Sequence, residues 1–268
     1  MGEQRDLFDE LFALLSPERV LDDPRATGEG IPVCILDSGV DETTLRTRAT
    51  ERGAEINTIQ GGIFQPNRKE PLPYTGKHSS PHGTTVADIV LTLAPQVQLY
   101  SADIFGPLGT CEVETVINAL HWAIHEWKCK VINLSLGVTE NKLAQIPRRY
   151  QFLRAIEEAY FHDVIIVAAA HNDHPFTRSY PAMFAPPLIS VDKHIFESPL
   201  QFSYALREHV EFLAHSRGYT GPFAQEPATS WAAPHLSGIA AKLLSLRPTL
   251  KPFEIKTLFT WLAQATEK

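Results

Sequence analysis

Short apolar runs at 31–36, 97–104, 130–135, 164–169 and 188–191 are bounded by turn-forming residues and read as buried strands. Between and after them lie longer stretches, at 83–93, 112–128, 145–161, 231–246 and 252–264, that read as helices. Strand and helix alternate along most of the chain. That order predicts an α/β fold with a mostly parallel central sheet and helices on both faces, a three-layer αβα arrangement. The segment 54–81 carries Gly61, Gly62, Pro66, Pro71 and Pro73 and is predicted to be a long loop, placed to cover a cleft. The segment 193–227 is poorly periodic and predicts hairpins and loops. Near the start, Leu7, Phe8, Leu11, Phe12, Leu14 and Leu15 have helical spacing and predict an amphipathic helix packed on the domain. The expected organisation is a helical extension over 1–27 followed by one domain over 28–268, a size that suits a single large α/β unit.

Chemistry gathers where these elements end. The run Thr229-Ser-Trp-Ala-Ala-Pro-His-Leu-Ser-Gly238 puts Ser230 at the mouth of a buried helix. A helix N-terminus offers unpaired N–H groups and partial positive charge, which favour an alkoxide-like nucleophile and the oxyanion it creates. By itself the run is equally a Thr-Ser helix cap. Asp37 closes the strand Ile31-Pro-Val-Cys-Ile-Leu-Asp37, and His82 enters the next helix in Ser80-Pro-His-Gly-Thr84. Singly, the first is a turn residue and the second a surface histidine, of which the chain has 11. Together an acid, an imidazole and a hydroxyl are the parts of a nucleophilic triad.

These segments resemble the subtilisin-like serine proteases, the subtilases, whose triad runs in the chain order Asp, His, Ser. The resemblance extends through Val131-Ile-Asn-Leu-Ser-Leu-Gly137, Ile165-Ile-Val-Ala-Ala-Ala-His-Asn172, Tyr180-Pro181-Ala182 and the tail from Arg247, and so covers the chain from about residue 28 to near its end. It implies a serine endopeptidase acting through Asp37, His82 and Ser230, with Asn172 as the side-chain donor to the oxyanion. It also implies that a polypeptide in extended conformation is held between Ser135-Leu136-Gly137 and Leu108-Gly109-Thr110 as an added strand. Asp173 matches an acid at the rim of the primary specificity pocket and Ser179 a small residue at its floor; Arg178 stands close to both.

Several positions depart from the family pattern. Ala228 replaces the glycine before Thr229-Ser230, Trp231 a methionine, His171 a glycine, Thr85 a second histidine and Asp88 a helix-ending glycine. They keep a second reading open, a latent or non-catalytic subtilase fold used as a peptide-binding or assembly module. An esterase of the Gly-x-Ser-x-Gly type is disfavoured, because that elbow is missing around Ser230.

Charge and composition narrow the classes further. A net charge of −7 without basic runs gives no electrostatic support for nucleic-acid binding. No apolar stretch approaches a membrane span. The chain passes from Leu91-Thr-Leu-Ala-Pro95 into the strand at 97–104 without an acidic loop, so no high-affinity calcium site is expected there, and no metal or cofactor is implied. Cys34, Cys111 and Cys129 are odd in number and lack metal-ligand spacing. With no signal-peptide pattern at the start, a cytoplasmic protein is expected, its activity open to control by a regulatory protein partner.

Overall fold

The computed structural model describes residues 16–105, 109–207 and 209–266. The amphipathic helix expected over 7–15 and the candidate residue Leu108 fall outside the described residues.

At the centre stands β1 (Pro32–Asp37), paired in parallel with β4 (Gln98–Asp103) on one side and β5 (Val131–Leu134) on the other. Beyond β5 the sheet continues through β7 (Ile165–Ala169), β9 (Ile189–His194), β11 (Val210–His215) and β10 (Phe202–Arg207). Beyond β4 come β2 (Gln60–Ile63) and β3 (Leu72–Pro73), completing nine strands. All neighbours run parallel except the edge pairs β10–β11 and β2–β3. A separate antiparallel pair joins β6 (Val138–Thr139) to β8 (Ser179–Tyr180). The chain thus has the mostly parallel, three-layer α/β architecture that its apolar pattern predicts.

Period-two alternation sorts β1 between the two faces of the sheet. Val33 and Ile35 join the core with α3 (Pro81–Leu93), α6 (Thr229–Leu246) and α7 (Pro252–Thr266). Cys34 and Leu36 join the core with α4 (Val113–His125) and α5 (Ile146–Phe161). Each such fully buried aliphatic side chain contributes about 1.5–3 kcal/mol. A short N-terminal helix, α1 (Pro17–Leu21), adds Leu21 to the first core.

Two departures from the sequence reading concern 42–81. The predicted loop contains β2 and β3, which extend the sheet. Gly61, placed in that loop by the sequence, is needed for contact, since a Cβ there would overlap the Ser101 backbone of β4. The second is α2 (Glu42–Glu51), which shows no apolar stripe and buries only Leu45 and Ala49. It is started by Asp41, whose carboxylate accepts from the Thr44 N–H at 2.7 Å.

Candidate active site

The chain places β4 on one side of β1 and its next strand, β5, on the other. That reversal opens a crevice at the carboxyl ends of the strands, where α/β sheets offer their binding sites. Asp37 is the last residue of β1 and is buried there. Its Oδ1 accepts from the Ser38 N–H at 2.8 Å and lies 3.0 Å from the Ser38 hydroxyl. That hydroxyl in turn accepts from the Gly83 N–H of α3 at 3.1 Å. Ser38 thereby ties the strand end to the helix that follows.

A returning segment sets where that helix begins. His78 bridges Gly39, and the Ser79 N–H donates to the Ser38 carbonyl at 2.8 Å. Ser80 then caps α3, with Pro81 at its first position. This brings His82 Nδ1 to 2.9 Å from both Asp37 oxygens. Gly83 is required at the crossing, because a Cβ there would strike the Gly39 carbonyl and crowd Asp37. Burial pushes the His82 ring down from its ordinary 6.5, but the charge and hydrogen bond of Asp37 outweigh it and the net shift is upward.

Ser230 lies in the first turn of α6, where backbone N–H groups lack intrahelical partners. Pro234 sits four residues later and has no N–H to give the Ser230 carbonyl. The Ser135 hydroxyl supplies the missing donor, at 2.8 Å. Behind it the Asn133 amide donates to Ser135 Oγ at 2.8 Å, and the Ser237 hydroxyl lies 3.1 Å from Asn133 Oδ1. This buried chain locks the start of α6 to the end of β5. The Ser230 hydroxyl donates to the Ser135 carbonyl at 3.3 Å rather than to His82.

Asn172 follows β7. Its Oδ1 accepts from the Thr229 N–H at 2.9 Å and from the Thr229 hydroxyl at 3.1 Å. With the oxygen so engaged, the amide's N–H groups are the side free for another partner.

One cleft, of about 400 Å³, is lined by Asp37, His82, Gly109, Ser135, Leu136 and Gly137, with Phe105 and Ser38, Ser79 and Ser80 completing its wall. The proposed peptide edge 135–137 therefore faces Gly109 across it, and Thr110 follows as an exposed residue. Ser135-Leu136-Gly137 lies between β5 and β6, outside both sheets. Ser179 is buried on β8 with no hydrogen-bond partner for its hydroxyl, and lines a separate small cavity with Arg178, His171 and His174. Asp173 is exposed and its backbone N–H donates to His171 Nδ1 at 3.1 Å.

The structure gives the departures from the family pattern physical roles. Ala228 has φ −140° and ψ 152°, an extended geometry that needs no glycine. The Trp231 ring packs against His82, centroids 4.9 Å apart, and its Nε1 donates to the Glu226 carbonyl at 3.2 Å. Asp88 is buried and holds Arg48 Nε at 2.7 Å and Arg52 Nη1 at 2.8 Å, tying α2 to α3.

Sequence reasoning passed over Ser38 and Asp103. The Asp-Ser-Gly triplet at the end of β1 was the available signal for Ser38. Asp103 pairs in register with Asp37 on β4, and burial, together with the Asp37 charge, raises its carboxyl to about 6 despite a bond from the Phe105 N–H. Cys111 is pushed up to about 12 by burial and by the charges of Glu112 and Asp103, which leaves it a protonated thiol. His235, the other histidine near Ser230, is driven to about 3 by burial and bonds Tyr219 and the Trp231 carbonyl.

A parallel α/β sheet with an acid–imidazole pair and a helix-borne serine at its carboxyl edge defines a class of nucleophilic hydrolases. The profile of the Subtilase family matches residues 28–199 and 208–268, and the chain belongs to that family of serine proteases. Subtilisin E of Bacillus subtilis (strain 168) is 26% identical over 237 residues, 83% of this chain and 58% of that protein. The chain thus spans less than two thirds of that relative's length. Subtilisin Savinase of Lederbergia lenta is 27% identical over 243 residues, covering 86% of this chain and 82% of that one. The solved structure of Sphericase superposes with a TM-score of 0.67 at 21% identity, over 90% of this chain and 86% of its own. No helix among the described residues is long and apolar enough to cross a membrane.

Proposed function

We propose that this protein is a serine endopeptidase in which Asp37, His82 and Ser230 form the triad. The observation that carries the reading is the Asp37 carboxylate within 2.9 Å of His82 Nδ1, on a ring that lines the cleft. Asp37 fixes the tautomer, leaving Nε2 to take the Ser230 proton as Oγ attacks the peptide carbonyl. His82 then returns that proton to the leaving amine, and water repeats the sequence on the acyl-enzyme. The Asn172 amide N–H and the Ser230 backbone N–H would receive the oxyanion. One such donor is worth about 3 kcal/mol, a magnitude known from subtilisin itself.

An extended polypeptide pairing with 135–137 would offer its N–H groups to the Ser135 carbonyl. That carbonyl now holds the Ser230 hydroxyl, so substrate pairing would release Oγ to turn toward His82. A latent, peptide-binding subtilase is the second reading, favoured by that same hydrogen bond.

Fluorophosphonate labelling of the full chain, with Ser230→Ala as control, separates the two. Labelling confined to the wild type, with casein digestion, is expected. Labelling without digestion would put control at access to the cleft, as regulation by a partner protein requires. No labelling would sink the catalytic reading in favour of the latent one.

A further inference from the structure

Among the described residues, one group of three metal-competent side chains lies away from the cleft, on the helices covering the other face of the sheet. α4 carries His121 and His125, four residues apart and so on one helical face. α5 carries Glu158 one turn ahead of His162, its C-cap residue. The two helices pack on the same core and bring the pairs together. Glu158 Oε2 lies 3.0 Å from His121 Nε2, and Oε1 lies 2.6 Å from His125 Nε2. The His125 and His162 rings meet edge to face, centroids 4.9 Å apart. One ligand atom each from His125, Glu158 and His162 fits within a 4.8 Å span.

We propose that His125, Glu158 and His162 form a binding site for a divalent first-row transition ion of the zinc class, beside His121, which pairs with the other Glu158 oxygen. Two imidazoles and a single carboxylate, with a fourth position left to water, suit such an ion. Calcium and magnesium require mostly oxygen ligands and are poorly served here. All four side chains are at least partly exposed, which leaves a path for a hydrated ion.

Topology separates this site from the cleft. His125 precedes β5 and His162 precedes β7, so the cluster lies at the amino-terminal edge of the strands. Asp37, His82 and Ser230 are at the carboxyl edge. A bound ion braces α4 against α5 and raises stability without entering the peptide cleft, and this inference holds whichever functional reading is right.

The test uses the untagged, metal-stripped full chain titrated with Zn2+ by calorimetry, with the melting temperature followed in parallel. One equivalent bound and a rise in melting temperature are expected. His125→Ala/His162→Ala should lose the thermal shift and weaken Zn2+ at least about 100-fold, taking roughly tenfold or more per ligand removed. Glu158→Gln, which keeps the side-chain shape, should weaken it less. His194→Ala, exposed and outside the cluster, should bind as the wild type does. The melting temperature of each variant in chelator shows that it folds. Absence of binding to the wild type, or undiminished binding to the double variant, overturns the proposal.

Discussion

At the residue scale the decisive interaction is that of Asp37 with His82. In the proposed mechanism the imidazole must be neutral to accept the Ser230 proton, so kcat/KM should rise with pH along a limb placed above 6.5. Asp37→Asn removes both influences that raise the ring. The limb should move below 6.5, and kcat should fall on the order of 10⁴-fold, the cost of a mis-set tautomer in such a triad. A pH–rate profile of both proteins checks this; an unmoved limb would exclude His82 as the base. The same pair is linked to stability. Folded His82 holds its proton more tightly than the unfolded chain, so that contribution is complete below about pH 6.5 and is lost as pH climbs through the raised value. Asp37 and Ser230 were legible because each ends or begins a strongly patterned element. Ser38 and Asp103 were not, because their importance lies in which strand and helix stand beside them.

Elements meet here through buried polar contacts whose two halves are not equivalent. Asp88 on α3 is almost wholly enclosed, while Arg48 on α2 and Arg52 at its C-cap keep 23% and 26% of their side chains exposed. Removing both arginines strands a buried carboxylate; removing the carboxylate leaves two cations that can turn to water. Arg48→Ala/Arg52→Ala should therefore cost about 3 kcal/mol, and Asp88→Ala only about 1–2 kcal/mol. Denaturant midpoints of the variants measure this, and the reverse order would discard the account. The helix α2 that makes these contacts has no amphipathic signature, so its polar residues gave no periodicity to read. Its identity as a helix rests on the Asp41 cap and on the demand of Asp88 for partners.

Over the whole molecule, a single lysine adds a polar tie between the last helix, which also packs Phe259 against Phe202 and Phe212, and the sheet. Lys256 Nζ on α7 donates to the Pro186 and Leu188 carbonyls at 2.6 and 2.8 Å and to both Glu211 oxygens of β11 at 2.8 and 2.9 Å. Burial lowers its affinity for the proton and Glu211 restores part of it. Lys256→Met should destabilise the fold by about 3 kcal/mol, because Glu211 and two carbonyls lose their cation together. Adding Glu211→Leu should recover much of that loss, as seen in unfolding by urea; no recovery would mean that the lysine acts through packing alone.

The order of the main strands and helices, the parallel sheet, and the placing of Asp37, His82 and Ser230 at the ends of those elements came from sequence alone, because period and turn chemistry are local properties of the chain; Asn172 was singled out only through the resemblance to the subtilases. Tertiary structure decided the rest. It made a strand of Gln60–Ile63 by laying Gly61 against Ser101, and seated Trp231 against His82. It also let Ser135 cap the carbonyl that Pro234 leaves open. Each of these depends on residues far apart in the chain meeting at contact distance, which no local pattern encodes.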